Sequence, residues 1–222
     1  VNYKHHPLER EEIMRWDLSF KRRALGDPVS EGRRVWEWIQ RVRPLHPSLD
    51  LWRPTAGSRE EAEQSPPITQ DYLLQLICGV QALSDDPDFG LAPAFCGQID
   101  QGNKLELSFN TPTPGSASVG LMIGEALGAA LDAGEDLADA LMCTTASVFA
   151  PNIIGALTRS DHPLNPAPEP YWYLPGWKMF FASDSPHYQR ASQLATRTVP
   201  VGNGAIFTFG TPDTYPAVLD QW

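Results

Sequence analysis

The chain has 222 residues, 42% hydrophobic and 20% charged, with a formal net charge of −10. This composition belongs to a globular protein rather than a disordered one, and no apolar run approaches the roughly 20 residues of a membrane span. At about 150 residues per domain the length allows one or two domains, and a single domain over residues 1–222 is expected because no Gly/Ser linker or composition break divides the chain. Up to Glu63 there are 12 Lys/Arg against 11 Asp/Glu, whereas from Gln64 onward there are 5 against 16, so the later two thirds are poorly suited to nucleic acid or an anionic membrane. They are well suited to a basic protein, with ordinary solubilising charge as the plainer alternative.

Along the chain, Ile13 to Phe20 predicts a first strand with one wet face, since Trp16, Leu18 and Phe20 alternate with Arg15, Asp17 and Ser19. Lys21-Arg22-Arg23 reads as its flank. Gly26-Asp27-Pro28 is a turn, after which Ser30 is the expected cap of a helix to Arg43. Its apolar stripe is Val35, Trp36, Trp38, Ile39 and Val42. A proline-rich connector leads to Ser58, expected to cap one acidic helical turn. Thr69 caps a second predicted helix, which presents Tyr72, Leu73, Leu76, Ile77, Val80 and Leu83. The acidic turn Ser84-Asp85-Asp86-Pro87-Asp88 ends it, although carboxylates at a helix C-terminus oppose its dipole.

Lys104 to Phe109 alternates as a strand, and Ser118 to Ile123 is its expected hairpin partner. Glu125 to Ala133 predicts a short helix. Leu137 to Val148 fits either period, and Ala140 to Thr145 is taken as strand. Four prolines between Pro163 and Pro170 form an exposed extended loop. That loop leads into Tyr171 to Ala182, the most aromatic stretch of the chain, where Pro175-Gly176 separates a loop or edge strand from a core strand. In the second half Trp177, Met179 and Phe181 are expected on one face, with Lys178 and Phe180 on the other. Pro186 to Ala195 predicts a short helix, and Thr198 to Phe209 a strand pair around a bulge or turn at Gly202-Asn203-Gly204. Pro216 to Trp222 starts a final helix. The sum is an α+β fold: a mostly antiparallel sheet of about five or six strands with helices packed on it.

The chain has no nucleophile elbow, P-loop, His-Glu-x-x-His or Gly-x-Gly-x-x-Gly motif. None of His5, His6, His46, His162 and His187 has a partner at ligand spacing. Asp85, Asp86 and Asp88 lack the glycine and the twelfth-position glutamate of an EF-hand. Cys78, Cys96 and Cys143 are widely spaced and suggest free thiols in a reducing cytoplasm. The first residue is Val1 and no signal-like segment follows it, which is compatible with a missing natural start. The expectation is therefore a protein without catalytic residues, metal or cofactor, whose work is to bind another protein.

The order of motifs also resembles a family. An amphipathic helix leads to Leu49-Asp50-Leu51-Trp52 and then Gly57-Ser58-Arg59-Glu60-Glu61-Ala62. Pro175-Gly176-Trp177-Lys178-Met179-Phe180-Phe181 follows a hydrophobic hairpin, and Val199-Pro200-Val201-Gly202 precedes Gly204-Ala205-Ile206-Phe207. In these pieces the chain is similar to immunity protein family 52 of bacterial polymorphic toxin systems. The resemblance implies a cytoplasmic antidote that binds a cognate effector toxin, commonly a nuclease delivered by a type VI or similar secretion system, and it carries over no catalytic residue. Since a nuclease presents positive charge to phosphates, the expected toxin contacts are acidic: Asp85, Asp86 and Asp88, then Glu135, Asp136 and Asp139, then Asp161 and Glu169. Two rivals stand beside this reading, a small hydrolase built on Asp161 and His162, and an adaptor for a secreted effector.

Overall fold

The computed structural model describes residues 16–23, 27–56, 58–83, 94–97, 104–109, 116–149, 154–159 and 176–222. Its central strand is the one that opens the described chain. In β1 (Trp16–Arg23) alternation sends Trp16, Leu18 and Phe20 into the core, while Asp17, Ser19 and Lys21 stay half-exposed. The expected flank Lys21 to Arg23 is part of this strand, because Lys21 pairs with Ser118 and Ile154 and the ladder to the neighbouring hairpin runs on through Arg23.

Downstream come α1 (Pro28–Val42), β2 (Arg53–Pro54), α2 (Arg59–Gln64), α3 (Gln70–Leu83), β3 (Ala94–Cys96), β4 (Lys104–Phe109) and β5 (Ser116–Ile123). They are followed by α4 (Glu125–Ala133), α5 (Glu135–Phe149), β6 (Ile154–Arg159), β7 (Lys178–Ala182), α6 (Tyr188–Leu194), β8 (Arg197–Val201), β9 (Gly204–Thr208) and α7 (Tyr215–Leu219). The nine described strands form one sheet in the order β2-β3-β4-β5-β1-β6-β7-β9-β8, with every neighbouring pair antiparallel. The α+β expectation holds. The sheet is larger than five or six strands because the short β2 and β3, and also β6, add to it.

Register divides the sheet into two faces. Leu18 lies beside Leu121 and Leu157, and Phe20 beside Val119 and Gly155; Gly155 and Leu157 in turn neighbour Phe180 and Lys178. This face is covered by helices, with α1 packed on both α3 and α5, and α5 reaching across to β6, β7 and β8. The opposite face is polar along β1 but apolar along β7 and β9, where Phe181 and Phe207 meet His187, Tyr188 and Trp222 from the C-terminal segments. All five residues of β7 are buried as a result, as expected of a strand covered on both sides.

Local chemistry explains the helix boundaries. Asp27, rather than Ser30, caps α1: its carboxylate accepts from the backbone N–H groups of Val29 and Ser30 and from the Ser30 hydroxyl. Those bonds, led by the Ser30 hydroxyl, hold the Asp27 carboxyl below its ordinary value. Ser58 and Thr69 cap α2 and α3 as expected, accepting from Glu61 N and Tyr72 N at 3.2 Å. On α3, Leu73 and Ile77 reach the core, but Tyr72 faces solvent at 39% exposure.

One segment reverses the expected element type. Ala140 to Thr145 lies inside the helix α5, not in a strand. Its buried positions Ala138, Asp139, Leu141, Met142, Thr145, Ala146, Val148 and Phe149 form a helical stripe. The stripe is fixed by Trp38 of α1, which donates its indole N–H to Thr145 Oγ1 at 2.9 Å and packs its ring 6.4 Å from that of Phe149. Tertiary packing of this kind overrides the weak helix propensity of the Thr144-Thr145 pair.

The expected helix at Glu125 to Ala133, the hairpin of β4 and β5, the short helix after Pro186 and the final helix are all present. Gly202, with φ at 56°, supplies the left-handed residue of the β8–β9 turn. Among the described residues no helix is long and apolar enough to cross a membrane.

Candidate functional site

The helices α4 and α5 meet at Gly134, whose backbone is extended, with φ −168° and ψ 143°. Their junction sits over the ends of β6 and β7 and beside the loop that follows β9. Between these parts is an open cleft of about 530 Å³. Leu131 and Trp177 lie beneath it, both fully buried, Pro212 stands at its side, and Asp132, Glu135, Asp213 and Arg159 bring charge to it. Arg159 is held by Asp213 at 2.7 Å, and Asp132 accepts the Trp16 indole N–H at 3.2 Å.

Behind the cleft lies a buried charge network. Lys178 has no solvent exposure, yet its ammonium sits 2.7 Å from Asp139 Oδ1 and donates to Thr208 Oγ1 at 2.9 Å. It also lies 4.5 Å from the centre of the Trp177 ring, a cation–π arrangement. The second Asp139 oxygen takes the Arg197 guanidinium, and Glu135 Oε2 stands 3.5 Å from Arg197 and 3.8 Å from Lys178. Two cations therefore face two carboxylates, and the network ties α5 to β7 and β8. Burial, reinforced by the Asp139 anion one turn away on α5, raises the pKa of the Cys143 thiol and outweighs the pull of Lys178 and Arg197. That thiol is poorly suited to nucleophilic work.

The expected toxin contacts fare differently from one another. Asp85, Asp86, Asp88, Asp161 and Glu169, and with them the hydrolase candidate His162 and the aromatic loop Tyr171 to Leu174, lie outside the described residues. Glu135 and Asp136 begin α5, where carboxylates complement the helix dipole. Asp136 is exposed and Glu135 half-buried at the cleft. Asp139 is 9% exposed and paired with both Lys178 and Arg197. Trp177 corrects the expectation for its face. It precedes β7, and its ring packs 5.5 Å from Trp16 and beside the Lys178 ammonium, on the helix-covered side and away from Met179 and Phe181.

Sequence reasoning missed Arg159, Lys178, Arg197 and Asp213. For Lys178 a signal existed, since a lone lysine inside Trp177 to Ala182 must either reach solvent or find a buried anion. Among the described residues no group of three His, Cys, Asp or Glu side chains is arranged to hold a metal ion.

No protein-family model and no curated protein matches the chain. Among solved structures it is similar to the Pseudomonas aeruginosa T6SS protein PA0821, with a TM-score of 0.52 and 12% identity, over 93% of this chain and 74% of that one. At that identity the likeness is one of fold: the arrangement of sheet and helices described above recurs in a protein with an almost unrelated sequence.

Proposed function

We propose that this protein is an immunity protein that binds a cognate type VI effector toxin, a basic nuclease, and neutralises it by covering its active or substrate-binding surface. The observation that carries this reading is the likeness of fold, over nearly the whole chain, to a protein named for the T6SS. It agrees with the family that the motif order resembles. Charge supports it as well: between Leu105 and Thr158 there are six Asp/Glu and no Lys or Arg, and this stretch includes the whole of α4 and α5.

On this reading the protein performs no chemistry of its own. A nuclease gathers cations to hold phosphates, and an acidic helix pair is drawn to those cations, raising the association rate by roughly 10 to 10³-fold at low salt. Retention then depends on a few well-packed anchors.

The test uses the effector encoded beside this protein, purified with its active site inactivated. Association is followed at low and at high salt. A complex whose association rate falls steeply with salt supports the proposal. Absence of a complex at both salt concentrations overturns it.

A further inference from the structure

We propose that Pro200 closes the exposed edge of the sheet, and that without it a second copy of this chain adds to β8 by antiparallel strand pairing. The inference is independent of the immunity reading.

The bonds around β9 fix which way β8 turns its backbone. Phe209 N–H donates to Trp177 C=O and Ser183 N–H to Asn203 C=O, both at 2.9 Å. These bonds flank a register in which Lys178 faces Thr208 and Ala182 faces Gly204. Bonded pairs alternate along an antiparallel ladder, so Ala205 and Phe207 turn their backbone groups to β7, and Gly204, Ile206 and Thr208 turn theirs to β8. Thr196 N–H agrees, donating to Thr208 C=O at 2.8 Å. Opposite those three residues stand Val201, Val199 and Arg197. Thr198 and Pro200 therefore direct their backbone away from the sheet, on the side where the strand order ends. Both are exposed.

The other edge has the same arrangement. Thr55 N–H donates to Ala94 C=O at 3.3 Å, which turns Arg53 toward β3 and Pro54 outward. There the chain also covers its own edge: Ile68 N–H donates to Trp52 C=O at 2.9 Å, and the Arg53 guanidinium donates to Ser65 C=O. Among the described residues no segment does this along β8.

The rest of β8 favours pairing. Thr198, Val199 and Val201 are β-branched, and the charge of Arg197 is drawn to Glu135 and Asp139 of α5. The block therefore falls on the proline, as at other natural sheet edges. A two-fold antiparallel pair through the two outward positions sets Thr198 of each copy against residue 200 of the other. It needs an N–H from all four residues. Proline removes two of these donors and puts a ring carbon where each N–H would point.

Pro200→Val restores the outward N–H without altering a bond to β9. Sedimentation velocity compares it with the wild type, with Pro200→Ala and with Pro200→Val/Thr198→Pro, from micromolar to near-millimolar concentration. The wild type should stay monomeric. Pro200→Val should self-associate at least about tenfold more strongly, Pro200→Ala less so, and the double variant, which loses the other outward donor, should return to the wild-type level. Hydrogen exchange should show the residue 200 amide of Pro200→Val becoming protected as the dimer forms, with the Ile206 and Thr208 amides protected throughout.

The proposal is overturned if Pro200→Val and Pro200→Ala sediment as the wild type does, or if the wild type dimerises as strongly as Pro200→Val. Self-association that leaves the residue 200 amide exchanging, or that persists in the double variant, overturns it as well. So does loss of the Ile206 and Thr208 protection in both single variants, which would make the proline a requirement of the fold.

Discussion

Replacing Asp139 by alanine removes the nearest anion from a lysine that has no contact with solvent. Lys178 would keep the Thr208 hydroxyl at 2.9 Å and Glu135 at 3.8 Å, and Arg197, already 49% exposed, would turn to water. Breaking a buried ion pair by deleting one partner typically costs about 3–5 kcal/mol. The surviving partners of Lys178 place Asp139→Ala near the lower end, at about 3 kcal/mol, a large share of the roughly 5–15 kcal/mol that holds a typical domain together. The companion variant Lys178→Met/Asp139→Leu removes both charges and fills the same space with apolar atoms. It should lie within about 1 kcal/mol of the wild type, or be more stable. Urea denaturation followed by tryptophan fluorescence reads both, because Trp16, Trp38, Trp52 and Trp177 are fully buried. The reasoning is refuted if Asp139→Ala loses less than about 1 kcal/mol, or if the double variant is the less stable of the two.

Three further outcomes follow from the packing. Thr145→Val keeps the shape of the α1–α5 contact but strips the Trp38 indole N–H of its acceptor, and should lower stability by about 1–3 kcal/mol in the same urea assay. Gly155→Ala would place a Cβ 2.5 Å from Phe20 Cδ1; the overpacking should cost about 1–3 kcal/mol and shift the Phe20 ring resonances. His187 lies between the rings of Phe181 and Trp222, and burial lowers its pKa from the ordinary 6.5. The unfolded chain therefore takes up this proton first, so stability is full above 6.5 and declines as pH falls from there toward the lower folded value. In His187→Gln, that slope in the pH profile of the urea midpoint should be flatter.

The sequence made some parts of this architecture legible and hid others for physical reasons. Alternation identified β1 because one of its faces lies against the core and the other is half-exposed, and period two is then strict. The caps at Ser58 and Thr69 were readable because a hydroxyl just before a helix has one obvious donor to satisfy. Ser30 misled because Asp27 lies one turn earlier with a stronger acceptor. The segment around Thr144 and Thr145 looked like strand since its composition is small and β-branched, and what makes it helical is Trp38, more than a hundred residues away. β6 was hidden because Ile154 to Leu157 is short and without a polar side chain, a pattern without a period. The candidate site divides in the same way. The carboxylates of α4 and α5 stand out by composition, but their division into the interior Asp139 and the outward Asp136 depends on where β7 and β8 place Lys178 and Arg197, which no local pattern encodes.

The central claim is that the protein silences a nuclease by binding it. The most direct measurement is a titration of the adjacent effector's DNA-cleaving activity with this protein. The account predicts that cleavage falls in proportion to the protein added and ceases at one equivalent, with the midpoint moving to higher protein in strong salt. Undiminished cleavage at a several-fold excess in low salt would contradict it.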